Sequence, residues 1–267
     1  MQEPIPLRQF PPFLPLRPEA SAASAGYGKV TISWYNATGA TSYNIYWSTT
    51  SGGASSGGTK ISGLPVNSST YDHVVTTTGI PYYYVVTAEN ANGESAKSTP
   101  EVTATPLAKQ VPPLAYNFDD GTLQGWTTNG IWNVTTEYKY SGSYSVTDSP
   151  LGNYLDSINS SLISPMIDLT GTTAPKLTFW HRYVLEDAAD YGYVELSTNG
   201  GATWTNITPA TIYGNRYSGS VSTFTSVIID LTAYKSSNQA VIRFRLQTDN
   251  SMFYDGWYID DIEISVN

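Results

Sequence analysis

The chain has 267 residues, enough for two ordinary domains that each bury a core. A formal net charge of −9 argues against nucleic acid and anionic lipid as partners, and the absence of cysteine excludes disulfides, zinc–thiolate sites and thiol chemistry. Only 13% of the residues are charged, while tyrosine reaches 21 copies and glycine 22, the makeup of short half-buried strands punctuated by tight turns.

Residues 1–18 carry prolines at positions 4, 6, 11, 12, 15 and 18. Proline fixes φ and lacks an amide proton, so this arm is predicted to be extended and polyproline-like. Ile5, Leu7, Phe10, Phe13, Leu14 and Leu16 lie between the prolines. A plain solvated linker would not carry so many apolar side chains, so the arm either folds back on its own domain or docks into a neighbouring subunit.

Residues 19–107 read as a run of short strands. VTISW at 30–34 and YYYVVTA at 82–88 alternate with period two, which puts Tyr82, Tyr84, Val86 and Ala88 on one face. The Gly/Ser-rich stretch at 51–58 is expected to be a flexible loop. Trp34, SYNIY at 42–46 and GIPYYY at 79–84, running on to Asn90 and Gly93, make this segment resemble a fibronectin type III domain. The resemblance implies an Ig-like sandwich with Trp34, Tyr43 and Tyr84 in its core and Tyr82 as a tyrosine corner.

A short linker is expected at 108–114, stiffened by Pro112 and Pro113. Beyond it, residues 115–267 hold further alternating strands, clearest at 176–183, 193–197, 225–231 and 241–247. In the last of these Ile242, Phe244 and Leu246 face one way and Arg243 and Arg245 the other. NGG at 199–201 reads as a hairpin turn. The fold class expected from the whole pattern is all-β, two β-sandwich domains preceded by the proline-rich arm.

This second segment resembles a MAM-like jelly-roll domain of the kind appended to immune inhibitor A type secreted metallopeptidases. The residues that carry the resemblance are FDDGTLQGW at 118–126, SSLISP at 160–165, DYGYVELSTNGGATW at 190–204, IDLTAY at 229–234 and GWYIDDI at 256–262. No peptidase motif accompanies them. There is no HExxH, and the two histidines, His73 and His181, fall in different domains, so zinc hydrolysis is not expected and no catalytic residue is assigned. Carboxylate pairs suited to glycoside hydrolysis lack any sign of a cleft or of divergent acidities.

The same carboxylates suit calcium, a hard cation that takes oxygen ligands. The jelly-roll resemblance implies a structural calcium between first and last strands, held by Asp119 or Asp120 and by Asp261 with Asp260; Asp190 and Asp249 are further metal candidates. Tyr213 and Tyr217, in the polar loop 211–220, are the candidate ligand-binding aromatics.

Met1–Gln2–Glu3 is not followed by the basic and apolar run of an export signal, and no apolar stretch is long enough to span a membrane. The location expected is extracellular or at the cell surface of a bacterium or archaeon, with the chain in mature form. The functional expectation is a non-enzymatic surface interaction or structural protein, its partners other copies of itself or other surface proteins, assembled into a filament or layer through the arm. The alternative is a carbohydrate-binding accessory module of a secreted hydrolase system, with polysaccharide as partner.

Overall fold

The computed structural model describes residues 13–266, and the chain divides into two compact units, Met1–Ala108 and Lys109–Asn267. The first unit contains β1 (Ala20–Gly26), β2 (Lys29–Trp34), β3 (Ser42–Ser48), β4 (Thr59–Pro65), β5 (Thr70–Val74), β6 (Tyr82–Asn90), β7 (Gly93–Glu94) and β8 (Val102–Ala104). They form two antiparallel sheets, β1-β2-β5 and β4-β3-β6-β7, with β8 beside β6. Period-two alternation does the sorting. Val30, Ile32 and Trp34 of β2 enter the core that Tyr43, Ile45, Tyr82, Tyr84, Val86 and Ala88 supply from the other sheet. Each such burial contributes roughly 1.5–3 kcal/mol before the ordering entropy is subtracted. The Tyr82 hydroxyl donates to the Thr77 carbonyl at 3.1 Å, the back-bond of a tyrosine corner.

One sequence expectation about this unit changes, and over its described residues the arm takes the first of the two courses expected for it. The stretch 51–58 is tied down rather than free, because it forms a one-turn helix, α1 (Gly53–Ser56), whose ends both find partners. The Glu101 carboxylate accepts the amides of Gly52 and Ser55 at 2.8 and 2.7 Å, while Lys97 Nζ donates to the carbonyls of Ala54 and Gly57 at 2.8 and 3.0 Å. The arm is docked on its own unit from Phe13 onward. The Phe13 carbonyl accepts from Asn90 Nδ2 and Asn92 Nδ2, and the Leu16 amide donates to the Thr38 carbonyl at 3.0 Å. Ile5, Leu7 and Phe10 lie outside the described residues.

The second unit holds β9 (Leu114–Tyr116), β10 (Thr127–Asn129), β11 (Asn133–Thr135), β12 (Ser145–Thr147), β13 (Asn159–Ile163), β14 (Lys176–Val184), β15 (Tyr191–Ser197), β16 (Thr205–Asn206), β17 (Ser220–Asp230), β18 (Val241–Gln247) and β19 (Gly256–Ser265). One sheet runs β10-β13-β18-β15-β16. The other runs β11-β12-β19-β14-β17, with β9 on β19. All the strand ladders are antiparallel. Phe179 and Trp257 of one sheet pack edge-on against Phe244 of the other at 4.9 and 5.7 Å, which locates the core between the sheets.

Residues within 108–114, expected to be a linker, are tied into this second unit. Gln110 donates its amide to the Met166 carbonyl and accepts the Asp168 amide, both at 2.8 Å, and β9 begins at Leu114. Among the described residues no helix is long and apolar enough to cross a membrane.

Candidate functional site

Four of the predicted metal ligands sit where the first and last strands of the second unit run side by side, since β9 pairs with β19. There three of the carboxylates accept hydrogen bonds from one loop, residues 136–144, between β11 and β12. Asp260, buried on β19, accepts the amides of Tyr140 at 2.8 Å and Ser141 at 3.1 Å through Oδ2, and the amide of Asp261 at 2.8 Å through Oδ1. Asp261 Oδ1 accepts from Ser141 Oγ at 3.1 Å. Asp119 Oδ1 accepts the amides of Ser143 and Tyr144. Asp120, exposed, caps its own turn through the amide and hydroxyl of Thr122. Burial pushes the Asp260 carboxyl up to about 6; the Ser141, Tyr140 and Asp261 amides pull against that, and the Asp261 charge adds to it.

These bonds lay the loop over the outer face of β14, β17 and β19. The Tyr140 ring stacks flat on Trp180, centroids 3.7 Å apart and planes 9° from parallel, with Phe224 at 6.3 Å. Tyr138 lies under the Arg182 guanidinium at 3.6 Å and edge-on to Tyr258. Arg182 is anchored in turn by Asp255 at 2.9 Å and by the Ser222 carbonyl at 3.1 Å. Tyr138 and Tyr140 nevertheless remain 41% and 44% exposed. Two large rings are thus held rigid and half in water.

The opposite sheet also turns aromatic and charged groups outward. Glu195, only 7% exposed, bridges Arg243 at 2.6 Å and Arg245 at 2.8 Å. Arg243 lies over Trp204 and Arg245 over Tyr193. These rings are less exposed than Tyr138 and Tyr140.

The ligand-binding expectation for Tyr217 is corrected. Tyr217 is 5% exposed, paired with Gly192 and packed against His181 and Trp257. A backbone bridge to β15 draws it into the core, which the polar sequence around it does not reveal. Tyr213 is half-buried, and its hydroxyl donates to Asp187. His181 is a satisfied core residue, its Nδ1 accepting from Trp257 Nε1 at 3.2 Å, and burial pushes it down to about 3.

The remaining two metal candidates are brought together, with a third carboxylate that the sequence reading did not assign to a metal. Glu186, Asp190 and Asp249 each offer an oxygen within 4.8 Å of the others, the one such group of three among the described residues. The register explains it: Tyr191 pairs with Gln247, so the residues just beyond those strand ends, Asp190 and Asp249, meet at one end of the sheet. Asp190 Oδ1 accepts the Asp249 amide at 2.8 Å. Its Oδ2 is sealed from solvent with no partner at hydrogen-bond geometry. Burial raises the Asp190 carboxyl; the nearby Tyr154 hydroxyl and the Asp249 amide oppose this, and the charges of Asp249 and Glu186 reinforce it.

The fold and these sites define an all-β protein with a fibronectin-like sandwich and a jelly roll. Residues 137–267, just under half of the chain, match the family model of the immune inhibitor A-like MAM domain. Among curated relatives, Bacillopeptidase F of Bacillus subtilis is 35% identical over 151 residues, covering 53% of this chain and 10% of that protein. An amylopullulanase of Thermoanaerobacterium saccharolyticum is 34% identical over 92 residues, covering 34% of this chain and 7% of that protein. The chain therefore spans a tenth or less of the length of either relative. Among solved structures, the CBM22-1 xylan-binding domain of Xyn10C from Paenibacillus barcinonensis is 15% identical with a TM-score of 0.41, covering 60% of this chain and 97% of that domain.

Proposed function

We propose that the chain is a non-catalytic accessory module of an extracellular bacterial protein, and that its second unit binds polysaccharide on the face carrying Tyr138 and Tyr140. The observation that carries this reading is the Tyr140–Trp180 stack, a flat ring held on a rigid base while 44% exposed. An aromatic face is electron-rich and accepts the C–H-lined face of a pyranose, and a ring already locked in place has little rotamer freedom to lose on binding. The curated relatives support the accessory part. One is named as a peptidase and the other as an amylopullulanase, and each shares with this chain a tenth or less of its length. A piece that small in two proteins named for different substrates is better read as an attachment than as either catalytic centre. Among the described residues neither histidine falls in a group of three metal-ligating side chains; His181 packs on Trp257 and His73 contacts Tyr84.

The reading is tested by affinity electrophoresis of the full chain through gels containing a panel of neutral and acidic polysaccharides. Retardation by at least one polymer, lost in the Tyr138→Ala/Tyr140→Ala variant, is expected. No retardation by any polymer would count against it.

A second reading, assembly through the arm, is favoured by one observation. Phe13, Leu14 and Leu16 are 68%, 52% and 64% exposed although their backbone is docked. Sedimentation of the full chain and of a variant lacking residues 1–18 tests it. Self-association that survives the deletion would discard it.

A further inference from the structure

We infer that Glu186, Asp190 and Asp249 form a calcium site that clamps two loops at one end of the second unit, the one joining β14 to β15 and the one joining β18 to β19. Each carboxylate is already aimed. The Asp190 amide donates to the Glu186 carbonyl at 3.2 Å, which folds the turn that brings the two side chains to the same place. The Glu186 amide donates to the Tyr154 hydroxyl at 3.0 Å. Glu186 Oε2 accepts from Ser251 Oγ at 2.8 Å and from the Met252 amide at 3.1 Å, while Asp249 Oδ1 accepts the Ser251 amide at 2.8 Å.

Two features point to a cation rather than to a solvated acidic patch. Asp190 is fully buried and its Oδ2 has no partner at hydrogen-bond geometry, only the nearby Tyr154 hydroxyl, whereas a buried carboxylate oxygen normally finds a proton donor or a metal. Three carboxylates also gather within 4.8 Å without a counter-charge. The ion pairs among the described residues join Lys29 to Asp72, Lys60 to Glu94, Arg182 to Asp255, and Arg243 and Arg245 to Glu195, and none reaches this group. Mutual repulsion and desolvation both oppose that arrangement, and a bound divalent ion would turn both into attraction.

The donor set selects the ion. Only hard oxygens are present, which disfavours zinc and copper. One ligand is buried, one half-buried and one exposed, which leaves an open side for water and for irregular coordination at about 2.3–2.6 Å. Calcium accepts such geometry more readily than magnesium, which holds to a strict octahedron.

The test is calorimetric titration of calcium chloride into the chelator-treated full chain, with Asp249→Asn and Glu186→Gln as variants. Both positions are solvent-accessible, so either variant can be checked as folded by its circular dichroism. The expected result is one saturable calcium site, weakened at least tenfold by either substitution and unaffected by Asp119→Asn. Equimolar magnesium should not displace the ion. Absence of calcium binding up to about 10 mM calcium, roughly tenfold above the weakest extracellular sites, overturns the proposal. So does calcium binding of unchanged affinity in both Asp249→Asn and Glu186→Gln, which would put the ion elsewhere.

Discussion

The carboxylate of Asp260, on the last strand of the chain, accepts the backbone amide of Tyr140 at 2.8 Å across 120 positions of sequence. That contact ties the aromatic loop to the sheet beneath it, and Asp119 repeats the device two residues further on by accepting from Ser143 and Tyr144. Carboxylates expected to hold a metal also hold the loop that presents Tyr138 and Tyr140.

Replacing Asp260 with Ala should therefore release the loop. The amides of Tyr140 and Ser141 lose a charged acceptor, a cost of about 1.5–3 kcal/mol per bond less whatever water recovers. The expected readout is a lower melting temperature together with faster amide exchange confined to residues 138–144. Protection of those amides equal to that of the parent protein would contradict the assignment.

A second buried acid sets a pH dependence. Asp148 is fully buried; Oδ1 accepts the Trp257 amide at 2.7 Å and Oδ2 has no partner. Burial pushes its carboxyl up to about 7, with the Trp257 amide and its own amide pulling down and the Asp255 charge pushing up. The unfolded value is near 3.8. Between those two pH values the folded chain holds a proton that the unfolded chain has lost, so this group's contribution to stability falls as pH rises across the window. Asp148→Asn should melt higher than the parent at pH 8, by about 5 °C if roughly 2 kcal/mol is recovered, and the gap should close near pH 4. Thermal melts of the two proteins from pH 4 to 8 check this; parallel curves would show that Asp148 is not the titrating group.

The opposite sheet carries a charge cluster whose worth depends on completeness. Glu195 is held below the usual carboxylate range: burial alone would raise it, but hydrogen bonds from Arg245 and then Arg243 outweigh burial. Glu195→Gln leaves two guanidiniums facing each other without their counter-ion, which should cost about 3–5 kcal/mol and lower the melting temperature by roughly 10 °C. A double-mutant cycle with Arg245→Met measures the coupling, and an interaction energy near zero would contradict it.

How much of this was legible in the sequence varies by element. Period-two alternation gave the faces of β6 and β18 directly, because only residue order decides which side a strand residue takes. The tyrosine corner at Tyr82 and the core placement of Trp34, Tyr43 and Tyr84 followed from local motif. What local pattern cannot supply is register. Asp249 joined Glu186 and Asp190 only because β15 pairs with β18, and Tyr217 left the surface only because it bridges Gly192. The carboxylates at 119, 260 and 261 looked alike as letters, but which amides would point at them was set by a loop more than a hundred residues away from two of them.

The most direct test of the central claim is a calorimetric titration of whichever polysaccharide retards the full chain, repeated on Tyr140→Ala and Tyr213→Ala. Both substitutions remove a ring at a solvent-accessible loop position, and only Tyr140 rests on the Trp180 base. Tyr140→Ala is expected to lose at least tenfold in affinity, about 1.4 kcal/mol, and Tyr213→Ala to bind unchanged. Undiminished affinity in Tyr140→Ala would contradict it.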